Sequence, residues 1–210
     1  MPNKNTLVII GASGHGKVVA SIARAVGYKS ILFLDDNLQA KKCLNYSVVG
    51  PVSRFLHYLT QAEFLVAIGN PTIRRKIQTD LENYQATLAT LIHPQAVIAP
   101  NVTLGKGTVI MAGAVINTNT QIGQGCIINT CASVDHDCIV GDYVHIAVGA
   151  HVAGTVRIGA NTWVGMGANI INNLSVCSNC MIGAGAAVVK DIQTAGTYFG
   201  VPARIRSHVA

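Results

Sequence analysis

From Ile98 onward an aliphatic residue stands at every sixth position: Ile98, Leu104, Ile110, Ile116, Ile122, Ile128, Val134, Val140, Ile146, Val152, Ile158, Val164, Ile170, Val176, Ile182 and Val188, without one insertion. Four residues after each comes a second column of mostly small residues, from Val102, Thr108, Ala114 and Thr120 through Cys126, Cys138 and Cys180 to Ala186 and Ile192. A period of six is neither that of a helix nor that of a plain strand, so the backbone must turn at regular intervals. Coils stacked by parallel strand pairing satisfy the pattern, with the aliphatic column filling a narrow interior and the small column fitting beside it. The position after each aliphatic is often Gly, Asn or Asp (Gly105, Asn117, Gly123, Asn129, Asp135, Gly141), which predicts that these residues supply the tolerant corner conformations. Three hexads per coil and a strand spacing of roughly 4.8 Å turn the sixteen hexads into about five coils, a prism roughly 25 Å tall.

Upstream the pattern changes. Leu7-Val8-Ile9-Ile10 reads as a buried strand, followed by Gly11-Ala12-Ser13-Gly14-His15-Gly16-Lys17 and a helical stretch to about Val26. Ile31–Leu34 is a second strand, ending at Asp35-Asp36, and Phe64–Ile68 a third, ending at Gly69-Asn70, with a helix from Pro71 to about Asn83. The expectation is an α/β Rossmann-like βαβαβ subdomain over residues 1–90 and a parallel β-helix with a C-terminal tail over residues 91–210. Ligands of such sheets gather at the carboxyl ends of the strands. Backbone N–H groups of a Gly-rich turn at a helix start suit a phosphate or a sugar hydroxyl, although a tight turn without a ligand carries the same glycines. The spacing is G-x-x-G-x-G, not the dinucleotide G-x-G-x-x-G. Asp35, at the place of a ribose carboxylate, keeps NAD open, but three strands are half a dinucleotide fold and fit a single nucleotide or nucleotide sugar better.

Composition narrows the class. Of 210 residues, 50% are apolar and only 11% charged, which excludes disorder. No apolar run of about 18 residues occurs, so no membrane span is expected. Met1–Asn5 leads into a short strand rather than a signal sequence, and a cytoplasmic location follows as an expectation. The net charge of +6 is uneven: residues 1–90 hold ten Lys/Arg against five Asp/Glu, residues 91–210 five against four. The densest cluster, Arg74-Arg75-Lys76, reads first as a solvated helix face, with an anion or phosphate site as the alternative; without aromatic interleaving or long basic stretches, nucleic acid is not an expected partner.

The register also sorts the candidate chemistry. Cys126, Cys138 and Cys180 fall in the interior column, where a thiol behaves as a compact apolar group. Cys177-Ser178-Asn179-Cys180 has no second pair to complete a zinc site, and Cys131, off the column, is the one cysteine to test as a nucleophile. His136, in Val134-Asp135-His136-Asp137-Cys138, lies off both columns. An imidazole flanked by carboxylates fits a general base, with Asp137 as the group that orients the ring and Asp135 in reserve; a solvated His-Asp corner is the plainer reading. His145 is half a coil further round, so it does not readily face His136 within one chain, though it could from a neighbouring subunit.

Gly11-Ala12-Ser13-Gly14-His15-Gly16, Phe33-Leu34-Asp35-Asp36, Ala67-Ile68-Gly69-Asn70, Ile92-His93-Pro94, Ser133-Val134-Asp135-His136-Asp137 and Gly200-Val201-Pro202-Ala203-Arg204 resemble the bacterial sugar acetyltransferases of the sialic acid O-acetyltransferase and bacillosamine N-acetyltransferase family, from about residue 6 to 206. The resemblance implies a left-handed β-helix, although parallel crossovers are generally right-handed. It also implies a homotrimer with active sites between subunits, acetyl-CoA as co-substrate, no metal, and a nucleotide sugar held by the N-terminal domain. Carried over by position, it makes His136 the general base and Asp137 its acidic partner, where many relatives carry Glu. It gives Ser13, Gly14, His15, Asp35, Asp36 and Gly69 to the nucleotide sugar, Asn129 to the acceptor, and His145, Gly154, Met166 and Ala184 to acetyl-CoA.

The implied reaction is direct acyl transfer to the amine of a nucleotide-linked 4-amino-4,6-dideoxy sugar, in surface-glycan or glycoprotein sugar synthesis; O-acetylation of sialic acid is the alternative. Backbone donors to the oxyanion would contribute roughly 3–4 kcal/mol each, and the general base about 10²–10⁴-fold. Three rivals remain: a ping-pong route through Cys131, a metal hydratase with His136, His145 and His151 binding zinc between subunits, and a non-catalytic assembly or sugar-sensing protein.

Overall fold

The computed structural model describes residues 6–37, 39 and 41–206; the reading of Met1–Asn5 lies outside them. The chain divides into two compact units, one formed by Met1–Pro94 with Lys106–Thr108, the other by Gln95–Gly105 with Val109–Ala210. No helix among the described residues is long and apolar enough to cross a membrane.

The first unit is built on β1 (Thr6–Ile10), α1 (Gly14–Ala25), β2 (Ser30–Leu34), a small hairpin of β3 (Lys42–Cys43) and β4 (Tyr46–Ser47), a 3₁₀ helix over Val52–Tyr58, β5 (Glu63–Val66) and α2 (Pro71–Asn83). Three strands form a parallel sheet in the order β2-β1-β5. Leu7–Ile10, inaccessible to solvent along their whole length, hold its centre. Continuous apolar runs of this kind are what a sheet covered on both faces requires. The third strand stops at Val66 rather than Ile68. Ile68 and Gly69 turn their carbonyls to the Arg74 guanidinium instead, at 2.7 and 2.8 Å.

The second unit is a β-solenoid. Sixteen two-residue strands, from Val97–Ile98 to Ala187–Val188, each carry one of the sixteen aliphatic residues as the second member. Every strand pairs in parallel with those 18 residues away, as Val115 does with Val97 and with Ser133. The aliphatic and small columns together make one continuous core from Ile110 to Ile192. The stack runs past the last hexad, because Ile192 bridges to Val176 and Thr197–Phe199 pairs with Met181–Ile182.

Two expectations are corrected here. The corner residues with positive φ stand three places after each aliphatic, not one: Asn101, Gly107, Gly113, Asn119, Gly125, Cys131, Asp137, Tyr143 and Gly149 among them. The glycines directly after the aliphatics answer a different demand, the close approach of the next coil. A Cβ at Gly141 would stand 2.8 Å from the Ala160 nitrogen, and one at Gly159 would overlap the Ser178 nitrogen. Nor are the column's thiols merely apolar. Cys126 and Cys138 donate to the Gly141 and Ala153 carbonyls at 3.2 Å, as the Thr120 hydroxyl does to the Asp135 carbonyl at 2.6 Å. Small polar side chains in the column thus satisfy carbonyls that the corners leave without a ladder partner.

Gly159→Ala is therefore expected to destabilise the solenoid by about 1–3 kcal/mol, the usual cost of overpacking. Urea unfolding measures it; an unchanged midpoint would mean that the coils have slack at this corner.

Candidate active site

The solenoid exposes His136 with both neighbouring carboxylates bound to it, Asp137 at the ring and Asp135 at the main-chain N–H. His136 follows the strand Ser133–Val134 and precedes the left-handed corner at Asp137, where φ is 57°. Its backbone is tied on both sides: the N–H donates to Asp135 Oδ1 at 2.8 Å, and the carbonyl accepts from Thr155 N at 2.9 Å. Its ring Nδ1 lies 2.8 Å from Asp137 Oδ2. A carboxylate only accepts, so Nδ1 carries the proton and the lone pair is left on Nε2. The hydrogen bond from the ring to Asp137 raises the imidazole pKa above the ordinary value, with the charge of Asp135 adding to it. The same bond lowers the Asp137 pKa, helped by a bond from Asn119. Asp135 is likewise lowered, first by the Asn117 amide and then by the His136 N–H. Gly154 makes room for the ring, since a Cβ there would stand 2.6 Å from both Cε1 and Nε2 of His136.

The other expected residues fall into separate groups. Asn129 and His145 meet, with Asn129 Nδ2 3.0 Å from His145 Nε2. His145 is buried and packs on Trp163 with ring centroids 4.3 Å apart. Met166 and Ala184, 18 residues apart, are both exposed at equivalent corners. Cys131 is an exposed corner residue with φ of 55° whose thiol packs where Gly113 lacks a side chain. His151 bonds Ser133 Oγ through Nδ1 at 2.8 Å and lines a cleft of about 470 Å³ with Asn117, Asp135 and Asn169. Among the described residues no three His, Cys, Asp or Glu side chains are grouped to hold a metal ion. Cys177 and Cys180 are free thiols 3.4 Å apart, and burial, with the neighbouring thiol, pushes Cys180 up to about 12.

In the first unit the strand ends meet the start of α1, as the sheet topology requires. Gly11 takes φ of 107°, and Gly16 lets the helix touch the Gly11 carbonyl, so two of the three glycines are structural. Gly14 has open space where a Cβ would be, so packing does not account for it. Ser13 is the helix N-cap, exposed and without a side-chain cap bond. Asp35 braces the turn: Oδ2 accepts from Ala12 N at 2.6 Å and Oδ1 from Asn37 N at 2.8 Å. Asp36 Oδ1 accepts from Val52 N at 2.8 Å and stays exposed. His15 Nε2 is buried without a hydrogen-bond partner, and burial, with the charge of Arg74, lowers the ring to about 4.

Arg74 overturns the solvated-face reading of the basic cluster. Only Arg75 and Lys76 are exposed; Arg74 is 1% exposed and caps the carbonyls of Ile68 and Gly69. Its helical period with buried Gln78 and Leu81 was the available signal. Asn117 and Asn119 were also missed, and the signal there is their offset of 18 residues from Asp135 and Asp137.

Fold and site define a hexapeptide-repeat transferase, and comparison with known proteins agrees. Residues 6–81 match the PglD N-terminal domain, and residues 89–118 match the bacterial transferase hexapeptide (six repeats). The chain is similar to the acetyltransferase domain of PglB from Neisseria gonorrhoeae FA1090 in complex with acetyl coenzyme A: 39% identity, TM-score 0.94, covering 97% of this chain and 100% of that one. It is also similar to PerB from Caulobacter crescentus in complex with CoA and GDP-perosamine: 35% identity, TM-score 0.91, covering 97% and 98%. UDP-N-acetylbacillosamine N-acetyltransferase of Bacillus subtilis (strain 168) is 35% identical over 110 residues, 50% of this chain and 51% of that relative, so the match spans about half the length of the curated protein. The chain belongs to the PglD-type family of hexapeptide sugar N-acetyltransferases.

His15 and His136 are expected to shift in opposite directions from an ordinary imidazole. By NMR, His136 should titrate above 6.5, fall back toward 6.5 in Asp137→Asn, and be joined by a His15 that stays neutral down to about 4. An unshifted His136 in the unaltered protein would remove Asp137 as its partner.

Proposed function

We propose that the protein transfers the acetyl group of acetyl-CoA to the amine of a nucleotide-linked 4-amino-4,6-dideoxy sugar, with His136 as general base. The observation that carries this reading is the His136–Asp137 pair: an exposed ring, anchored through Nδ1 at 2.8 Å, with its basic Nε2 beside a glycine. The acceptor nitrogen attacks the thioester carbonyl as His136 Nε2 removes a proton from it. The C–S bond then breaks, the acetyl group stays on nitrogen as an amide, and the imidazolium returns its proton to the departing CoA thiolate. Asp137 stabilises that imidazolium and holds the ring in the required tautomer. A proton acceptor raised above 6.5 remains mostly neutral only on the alkaline side of its pKa, so kcat/KM is expected to fall on acidification.

The first unit would hold the nucleotide sugar at the Gly11–Gly16 turn, with Ser13, Gly14, His15 and Asp36 toward the ligand. Gly14, which packing does not demand, and the partnerless His15 Nε2 support this placement. Asp35 would act indirectly, through the turn it braces. Acetyl-CoA would lie along the solenoid past Gly154, Met166 and Ala184, with Asn129 and His145 acting as the linked pair the structure makes them. In a homotrimer each site would be completed by a neighbouring subunit. PerB and the PglB domain, solved with CoA or acetyl coenzyme A, support acetyl-CoA as the donor, and the GDP-perosamine bound to PerB supports a nucleotide sugar as the acceptor.

The test is thiol release from acetyl-CoA against nucleotide-linked amino sugars and free sialic acid. Release with the amino sugars, unaffected by chelators, is expected. His136→Ala should lower kcat by at least about 100-fold with CoA affinity kept. Near-normal turnover in that variant would remove His136 from the mechanism, and a fully active Cys131→Ala would close the ping-pong route.

A further inference from the structure

Each carboxylate of the Asp135-His136-Asp137 triplet has an asparagine amide on it, and both amides come from one tripeptide a coil earlier, Asn117-Thr118-Asn119. Asn117 Nδ2 donates to Asp135 Oδ1 at 2.7 Å, and Asn119 Nδ2 donates to Asp137 Oδ1 at 3.2 Å. Between them, the Thr118 carbonyl accepts from Asp137 N at 3.0 Å, and its hydroxyl donates to the Pro100 carbonyl at 2.9 Å. The outer row continues downward, since Asn101 Nδ2 donates to Asn119 Oδ1 at 3.3 Å. We propose that Asn119 is a positioning residue for acetyl transfer, holding the Asp137 carboxylate in the orientation from which it accepts the ring proton of His136, while Asn117 fixes the His136 backbone through Asp135.

The direction of the row follows from charge. The Asp137 carboxylate can only accept, so Asn119 must present its NH₂ upward and its oxygen downward, where Asn101 donates to it. Asp137 thereby spends Oδ1 on the row and Oδ2 on the ring, two oxygens on two partners, and its terminal torsion is fixed. Without the amide, a half-exposed carboxylate is free to rotate away from the imidazole. The corner conformation adds a second reason for the short side chain. Asn101, Asn119 and Asp137 have φ of 62°, 60° and 57°, a left-handed region in which Asn and Asp are favoured among non-glycine residues, although Tyr143 and Thr155 adopt it in this solenoid too. Aspartate at 137 suits this corner and lies level with Asn119, one coil below it. The charged groups bearing on the ring are Asp135 and Asp137, both held by this tripeptide.

The proposal rests on His136 being the base, and the experiment separates the two. Three variants are compared with the unaltered protein by steady-state kinetics across pH: Asn119→Ala, Asn119→Thr and His136→Ala. Asn119→Ala is expected to lower kcat about tenfold, short of the 100-fold that a 1 Å misplacement costs, with KM for both substrates unaltered. Its acid limb should move to lower pH, toward an ordinary imidazole, because the bond that raises His136 is loosened. Asn119→Thr should recover most of the lost turnover, because a hydroxyl serves as donor in this same row, where Thr155 donates to Asn173. If the alanine chain does not fold, Asn119→Asp keeps the shape but exchanges donor for acceptor, and the same split of kcat from KM is expected from it. An inactive His136→Ala beside an Asn119→Ala with unaltered kcat and acid limb overturns the positioning role alone. An active His136→Ala overturns the base, and the positioning role with it.

Discussion

The 18-residue register is the constraint on which the solenoid and its chemistry depend. Parallel pairing lays each two-residue strand directly on the strand one coil before, as Ser133 lies on Val115 and Val134 on Ile116. Main-chain hydrogen bonds then link the coils at every face, for instance Val115 N to the Ala132 carbonyl at 3.0 Å and Ser133 N to the Ala150 carbonyl at 3.0 Å. Identical positions superpose, so one aliphatic side chain per hexad is enough to build a continuous interior. A chain with 5% aromatic residues has no need of large rings at its centre. Each coil contacts only its neighbours, so such an array is stabilised by repetition rather than by distant contacts. Shifting one strand by a single residue would turn its aliphatic outward, which fits an array that runs from Ile98 to Val188 without one insertion.

The same register explains what was legible in the sequence. The aliphatic period announces the interior column because burial selects volume and polarity, and both are written in residue type. The corners are less legible. Positive φ favours Gly and Asn, but Cys131, Tyr143 and Thr155 occupy equivalent corners, so composition blurs the pattern. Glycine after the aliphatic looked like a turn signal, yet at Gly141 it answers the backbone of the next coil. Conformational freedom and steric room both select glycine, and only coordinates tell them apart. Arg74 was misread for a related reason. Three adjacent basic residues look alike along the sequence, but a helix points one of them inward, where a guanidinium can satisfy two carbonyls at once.

Of the site, the residues within one coil were readable and those across coils were not. His136 and Asp137 are adjacent in sequence, and chemistry alone pairs them. Asn119 lies 18 residues away and becomes visible only when the period found in the core is applied to polar positions on the surface. In the first unit, Asp35 stands where a ribose carboxylate was entertained, yet both of its oxygens are occupied by main-chain N–H groups. Spacing places a side chain near a strand end without saying whether it faces a ligand or its own turn.

His15 and His136 illustrate two ways a protein sets an imidazole. His15 is lowered to about 4 mainly by burial, with a guanidinium adding to it, and so remains neutral. His136 is raised by a carboxylate on its own corner, with its side chain still 53% exposed. An exposed pair of this kind is weak in water, because solvent competes for both partners and screens the charge. If the proposed acceptor and thioester bind here, they would displace that water and strengthen the same hydrogen bond in a lower dielectric. In the proposed reaction the corner would supply geometry in advance and leave much of the electrostatic gain to be realised on binding. Asparagine amides suit that arrangement: they orient the carboxylate without neutralising it, so its full charge would be available to an imidazolium formed in the proposed transfer.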